Sequence, residues 1–416
     1  MSTRPTFAIV GAGLAGAKAA ETLRAEGFDG RLLLVGDEAE QPYERPPLSK
    51  AYLRGETDRD SLSVHPDGFY AAHDIELRTS TPVRSIDPAG RQLELVSGER
   101  IGYQRLLLAT GAAPRRLPLA GAELAGVHYL RTRSDADTLA AAAARAEHVV
   151  VIGTGWIGSE AAASLRQLGR DVTLIGPDTA PLARVLGLEI AAVYRDLHAD
   201  HGVRMALGTH VAGLRGTGRV EAVVTDDGRT IDCDLMLVGA GAVPRTGLAE
   251  AAGLPVRNGV LVNEQLEAVG AAGVYAAGDV AAAWHPRYQT YLHVEHWANA
   301  LNQGPAAARN MLGAGSAYAR LPYFYSDQYD LGMEYSGMAV DWDRVVVRGD
   351  LTAREFIAFW LKDQRVVAGM NAGVWDVTEP IQTLIRGGSP VDPVRLADPE
   401  IPLDQVIRST REVMMT

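Results

Sequence analysis

One cysteine, Cys233, stands in 416 residues. A single thiol makes no internal disulfide, no paired-cysteine metal site and no Cys-x-x-Cys redox couple, so any electron chemistry must run through a bound cofactor. Apolar runs of about 18 residues, long enough to cross a bilayer, are also missing. The apolar stretch after Arg4 is too short for a signal peptide and enters a glycine loop, which points to the cytoplasm. Positive charge is in deficit: 40 Lys plus Arg face 51 Asp plus Glu, a formal net charge of -11. That is the wrong sign for a chain whose main partner is a nucleic-acid backbone. Aromatic residues make up only 6%, yet 47% apolar and 22% charged residues describe a folded globular chain. At roughly 150 residues per domain, the length implies two or three domains.

Glycine is in excess, with 44 residues against a usual share of roughly 7%. After the strand-like run Phe7 to Val10, the chain reads Gly11-Ala12-Gly13-Leu14-Ala15-Gly16 and passes into a helix-like segment from Ala17 to Glu26. This is the dinucleotide-binding fingerprint in the context it requires. Gly11 permits the tight turn, Gly13 lets backbone N–H groups approach a pyrophosphate, and Gly16 lets helix and strand pack closely. The helix N-terminus supplies partial positive charge. A second strand, Arg31 to Val35, is followed by Asp37 and Glu38, either of which suits a ribose hydroxyl.

The pattern repeats. His148 to Ile152 leads into Gly153-Thr154-Gly155-Trp156-Ile157-Gly158, then a helix from Ser159 to Leu168 and a strand from Val172 to Ile175. Leu106 to Arg115 (LLLATGAAPR) and Leu235 to Arg245 (LMLVGAGAVPR) close the two halves with matching Gly-Ala-x-Pro-Arg turns. A lone Gly-x-Gly-x-x-Gly is a weak signal; two copies, each with strand, loop, helix and strand in order, imply two nucleotide sites. In a chain without redox cysteines, the pairing that makes chemical sense is a flavin receiving hydride from a nicotinamide.

Further along stand Pro42-Tyr43-Glu44-Arg45-Pro46-Pro47-Leu48-Ser49-Lys50, Ala109-Thr110-Gly111, Tyr129-Leu130-Arg131-Thr132, Tyr275-Ala276-Ala277-Gly278-Asp279, Glu295-His296-Trp297-Ala298-Asn299-Ala300 and Phe324-Tyr325-Ser326-Asp327-Gln328-Tyr329. In content and order these motifs make the chain similar to the FAD-dependent, NAD(P)H-using ferredoxin reductases of monooxygenase and dioxygenase systems, over essentially its whole length. The resemblance implies an α/β protein with two Rossmann-like three-layer domains and a C-terminal α+β interface domain. Residues 1–113 and 248–322 would bind FAD, 114–247 would bind NAD(P)H, and 323–416 would form the interface domain.

The residues agree with the last boundary. Short strands at Arg344 to Arg348, Glu355 to Leu361 and Val366 to Met370 fit an antiparallel sheet, the last two joined at Lys362-Asp363-Gln364. A helix from Ile381 to Arg386, ended by Gly387 and Gly388, would cover one face.

The resemblance also assigns residues. Gly11, Gly13, Ala15, Gly16, Asp37, Glu38, Arg45, Val83, Ala109, Thr110, Gly111, Arg131, Gly278, Asp279 and Trp297 fall to FAD, and Gly153, Gly155, Trp156, Ile157, Gly158, Asp178 and Gly241 to the nicotinamide nucleotide. Asp279 would accept from a ribityl hydroxyl, and a helix after it would aim N–H groups at the pyrophosphate; the bland reading is an N-cap aspartate. Lys50 would stabilise the anionic reduced flavin ring, and Glu160 would pair with it near the nicotinamide. Otherwise Lys50 is a solvated lysine, and Glu160, opening its helix, merely complements the helix dipole. Trp297 would pack on the flavin; its rival role is core filler.

Three histidines, His285, His293 and His296, lack metal-ligand spacing and receive no metal. Cys233 reads as a small buried hydrophobe. The strand Val172 to Ile175 ends at Gly176, where many NADH enzymes of this fold place glutamate; Asp178 is a substitute. Arg184, the one nearby cation for a 2'-phosphate, lies eight residues past Gly176, which favours NADH over NADPH.

The implied activity is hydride transfer from NADH to FAD, then single electrons to a 2Fe-2S ferredoxin. Ferredoxins are typically acidic, so docking needs a local basic patch, for which Arg287, Arg309 and Arg320 are candidates. Two other readings use the same cofactors: an NADH oxidase reducing oxygen directly, and an apoptosis-inducing-factor-like redox-sensing protein. Monomer and homodimer are both compatible with the sequence.

Overall fold

Phe7, Ala8, Ile9 and Val10 are all buried, on both faces of their strand, so the run reads as continuously apolar rather than alternating. That is how a parallel strand covered on both sides reads. Thr6–Val10 is the central strand of a five-stranded parallel sheet ordered Val274–Ala276, Arg105–Leu108, Thr6–Val10, Arg31–Val35, Ile75–Arg78. The register sets Val10 beside both Val35 and Leu108, so three strands end level where the first glycine loop begins. The protein is described here by a computed structural model covering residues 4–407. Its first compact unit contains this sheet and takes in the chain up to Pro46, Asp58–Ala113 and Ala242–Arg320.

The second unit comprises Pro47–Thr57, Pro114–Gly241 and the chain from Leu321. Its parallel sheet is ordered Val127–Tyr129, Leu235–Val238, His148–Ile152, Asp171–Gly176, Arg204–Leu207. In both sheets the strand before the glycine loop is central. It is flanked by the strand that follows the helix and by the strand that closes on Gly-Ala-x-Pro-Arg. The sheets differ at one edge, which Val274–Ala276 fills in one and Val127–Tyr129 in the other. The duplicated motifs therefore correspond to duplicated architecture, and the expected α/β class is met.

A five-stranded antiparallel sheet, also in the second unit, runs Tyr323–Gln328, Leu331–Gly337, Arg365–Ala372, Glu355–Lys362, Arg344–Asp350. Its strand Glu355–Lys362 is buried on both faces. Phe356, Ala358 and Trp360 pack with Leu186, Ile190, Tyr194 and Leu197 of the helix Ala183–Asp200. Ile357, Phe359 and Leu361 pack with Ile381, Leu384 and Ile385 of the helix Thr378–Gly387. The helix expected over one face is present, stopped by left-handed Gly388. The hairpin turn at Asp363 and Gln364 has both residues at positive φ.

The structure corrects three local expectations. The helices after the two fingerprints begin at Leu14 and Trp156, so Gly16 and Gly158 lie inside helices rather than in loops. As a result Glu160 sits beyond the first turn of Trp156–Gln167, out of reach of the helix-dipole role. No helix follows Asp279: a 3-10 turn, Gly278–Val280, leads into the strand Ala281–His285. That alanine run carries no period, and parallel pairing with Val260–Val262 settles it as strand.

Candidate functional site

The two glycine loops are built alike. Gly11 has φ +116, and a Cβ there would fall 2.1 Å from the Ala109 carbonyl oxygen; Gly153 has φ +110, and a Cβ there would fall 2.2 Å from that of Gly239. Cβ atoms on Gly16 and Gly158 would fall 2.0 and 1.9 Å from the carbonyl oxygens of Gly11 and Gly153. These four positions are closed by the protein itself. Gly13 and Gly155 differ, because a Cβ there would meet nothing within 4 Å. Each is the N-cap of a 12-residue helix, with no side-chain cap and no acidic residue in the first turn. A helix start with open space over an uncapped N-terminus fits a pyrophosphate, and the fit holds at both loops.

Ala15 lies within the first helix. A Cβ on Gly304, from the helix Trp297–Met311, would fall 2.3 Å from the Ala15 carbonyl oxygen, and one on Gly278 would fall 3.2 Å from the Ala15 methyl. Small residues thus bring the Gly278–Asp279 turn against the first fingerprint. The Gly278 N–H donates to Gln303 Oε1 at 2.9 Å, and His293 Nε2 meets the Asp279 carbonyl at 2.8 Å. Asp279 is buried, and beside it burial pushes His296 down to about 4, against the pull of the Asp279 carboxylate. His296 N-caps the helix that Trp297 opens, and the Trp297 indole N–H donates to Glu44. Burial raises Glu44 above the usual carboxylate range.

Both ribose candidates carry cations. Glu38 accepts from Arg45 at 2.6 Å and from the Tyr43 hydroxyl, while Asp37 accepts from Arg245 at 2.8 Å. The closing turns cross-pair: Arg245 N–H donates to Gly111 O, and Arg115 N–H to Gly241 O, each at 2.9 Å. The Thr110 hydroxyl donates to Arg245 O at 2.9 Å. Val83 opens the strand Val83–Asp87. The Arg131 N–H donates to Asp135 Oδ2 at 3.1 Å, beside the Thr132 capping box of the next helix.

Lys50 and Glu160, distant in sequence, meet as a buried pair in the second unit. Lys50 Nζ lies 2.7 Å from Glu160 Oε2, with side chains 13% and 4% exposed. The Pro46–Ser49 3-10 turn presents Ser49 along with Lys50, and its hydroxyl donates to Glu160 Oε2 at 2.6 Å. Ser326 donates to Oε1 at 2.7 Å. The carboxylate thus receives three donors, and such satisfaction is what makes a buried charge tolerable. The Lys50 ammonium also stands 5.8 Å from the centre of the Tyr325 ring. Burial raises Asp327 above the usual carboxylate range and Glu160 reinforces this, while Lys50 and Arg54 oppose it. The solvated reading of Lys50 therefore does not hold.

At the second loop, Ile157 is exposed, whereas the Trp156 ring faces inward, edge-on to Phe324 at 4.9 Å and Tyr194 at 6.2 Å. Asp178 lies just past the strand Asp171–Gly176 and accepts from Arg184 Nε at 2.8 Å. Cys233 is buried, and its thiol is pushed up to about 12, chiefly by burial. Of the docking candidates, Arg309 pairs with Glu26 at 2.9 Å.

Reading residues singly missed Ser49, Ser326 and Glu44, the partners of the site's charged and aromatic groups. Their motifs were visible, but which hydroxyl meets which carboxylate is decided by chain folding. No helix among the described residues is long and apolar enough to cross a membrane.

Comparison with known proteins places this geometry. Residues 5–304 match the pyridine nucleotide-disulphide oxidoreductase family, and residues 323–407 match the reductase C-terminal family. The chain is 38% identical over 408 residues to rhodocoxin reductase of Rhodococcus erythropolis, covering 97% of this chain and 94% of that protein. The crystal structure of the ferredoxin reductase for the CYP199A2 system of Rhodopseudomonas palustris superposes with a TM-score of 0.93 at 36% identity, covering 97% of this chain and 100% of that one. The reductase in the covalent putidaredoxin reductase–putidaredoxin complex gives a TM-score of 0.91 at 35% identity, with 97% and 98% covered. The chain therefore belongs to the pyridine nucleotide-disulphide oxidoreductase family, whose members bind FAD and NAD(H), and it carries the reductase C-terminal domain.

Proposed function

We propose that this chain is an NADH-dependent ferredoxin reductase that passes electrons through FAD to a 2Fe-2S ferredoxin serving a monooxygenase or dioxygenase. The observation that carries the reading is a pair of open, uncapped glycine loops in a chain whose one cysteine is buried. With one cysteine the chain has no internal dithiol to receive electrons, and on this reading they pass to a separate carrier. The relatives' names, rhodocoxin reductase and putidaredoxin reductase, point to such carriers.

Bound FAD supplies acceptance of a hydride from NADH and its release as single electrons. The protein's part is binding and electrostatics. On this reading the first loop, with Ala109, Thr110, Gly111 and the Gly278–Asp279 turn, holds FAD, and the ribose falls to Asp37 or Glu38. Arg45, Val83 and Arg131 complete that set. The second loop with Gly241 holds NADH. Lys50 and Glu160 keep a fixed, water-poor charge arrangement for the transfer, and Trp297, tethered by Glu44, keeps an indole at the flavin. Arg184 is engaged by Asp178, so a 2'-phosphate would meet a carboxylate as well as a cation, which favours NADH. We assign 1–113 with 248–322 to FAD, 114–247 to NADH and 323–416 to the interface domain, in a cytoplasmic protein.

The test is oxygen uptake and cytochrome c reduction by the yellow protein with NADH, with and without a 2Fe-2S ferredoxin. Cytochrome c reduction that depends on ferredoxin is expected. Oxygen uptake of equal rate without ferredoxin would make the protein an oxidase instead.

A further inference from the structure

Polar side chains are costly inside an apolar core unless each finds a partner. The second unit nevertheless buries three in one place: His198, Ser326 and Gln328, where the helix Ala183–Asp200 meets the strand Tyr323–Gln328. Phe324, on the same face of that strand, belongs to the surrounding apolar core. Period-2 alternation sets Ser326 and Gln328 on that face with it.

Their hydrogen bonds form a chain with one consistent direction. Ser326 Oγ donates to Glu160 Oε1 at 2.7 Å, so its lone pairs face the other way and accept from Gln328 Nε2 at 3.4 Å. Gln328 Oε1 then requires a donor, which His198 Nε2 supplies at 2.9 Å. With the proton on Nε2, His198 Nδ1 accepts from the Tyr329 hydroxyl at 3.3 Å. His201 stacks on the Tyr329 ring at 3.7 Å. Burial holds His198 down at about 4, so the ring stays neutral and able both to donate and to accept. Every O–H and N–H in the series points toward Glu160, and donors aligned this way polarise one another.

We propose that His198, Gln328 and Ser326 form a one-way hydrogen-bonded brace that fixes Glu160 as an oriented anion, making the C-terminal sheet a positioning element for hydride transfer as well as an interface domain. The proposal rests on the reading of Lys50 and Glu160 given above. None of the three bracing residues need touch a cofactor; they act through Glu160.

The experiment compares holoenzyme carrying Ser326→Ala, Glu160→Gln, both together, and Gln328→Met. The infrared carboxylate band of Glu160 is identified by subtracting the Glu160→Gln spectrum. The brace predicts that this band shifts in Ser326→Ala and shifts less in Gln328→Met. It also predicts that Ser326→Ala slows flavin reduction at saturating NADH about tenfold, the factor that goes with losing one charge-assisted hydrogen bond, with little change in the dissociation constant for NADH. In the Glu160→Gln background, Ser326→Ala should add nothing. An unmoved Glu160 band, or equal slowing by Ser326→Ala in both backgrounds, would overturn the brace. Should Ser326→Ala fail to fold, Gln328→Met carries the same comparison, and a band unchanged there is equally decisive. Glu160→Gln protein reduced as fast as wild type would instead sink the functional reading, with the infrared band still reporting on the brace.

Discussion

Glu160→Gln keeps the shape of the side chain and removes its charge. Lys50, with its side chain 13% exposed, then loses this counter-ion, while its electrostatic interaction with Asp327 remains. Breaking a buried pair from one side costs about 3–5 kcal/mol, and the low end applies because Asp327 stays nearby. Glutamine also offers one acceptor oxygen where Glu160 uses two. If its oxygen faces Lys50 and Ser49, its amide opposes Ser326, whose hydroxyl must then turn away. About 3 kcal/mol lowers the melting temperature by roughly 6–12 °C in a domain of this size. FAD should be retained, because the first loop lies elsewhere in the chain. Flavin bleaching by NADH should slow ~100-fold, as when a preorganised electrostatic partner is removed. Thermal melts and anaerobic stopped-flow absorbance check both numbers. A colourless variant would show that Glu160 belongs to FAD binding, and an unchanged rate with an unchanged melt would refute the reasoning.

Three further outcomes follow from the same geometry. Gly13→Val and Gly155→Val should both fold, since a Cβ meets nothing at either site, but the first should purify without FAD and the second should keep FAD and bind NADH weakly; Gly11→Ala, with its clash at Ala109, should not fold, and absorbance with gel filtration separates the three. His198 is held at about 4 against an ordinary 6.5, so between those values the unfolded chain takes up a proton that the folded one refuses. Stability should therefore fall as pH drops through that window, and urea melts of His198→Asn at pH 7 and about 4.5 should show a smaller loss than wild type. Asp178→Asn releases Arg184 from its ion pair, and the ratio of kcat/KM for NADPH to that for NADH should rise about tenfold; an unmoved ratio would show that neither residue reads the ribose.

What could be read from the sequence is what local chemistry encodes. Gly11 and Gly13 announce their loop because the turn and the open phosphate space both depend on residues a few positions apart. The doubled Gly-Ala-x-Pro-Arg turns revealed the duplication that the two sheets display. Gly16 and Gly158 are helical rather than loop, a placement the sequence leaves open because absence of a side chain signals close packing without saying on which side of the boundary it occurs. The expected helix after Asp279 is absent because Ala281–Ala283, a run with no period, pairs with Val260–Val262 as strand. Tyr323–Gln328 is not legible as a strand for another reason: its buried face carries Ser326 and Gln328, so no apolar alternation shows. The contact from Ser326 to Glu160 spans 166 positions, and nothing in either residue's neighbourhood names the other.

The central claim is tested most directly by mixing NADH-reduced protein with an oxidised 2Fe-2S ferredoxin in the absence of oxygen. The account predicts that the flavin reoxidises as ferredoxin is reduced, with two ferredoxins reduced for each hydride delivered. A flavin that stays reduced until oxygen is admitted would contradict it.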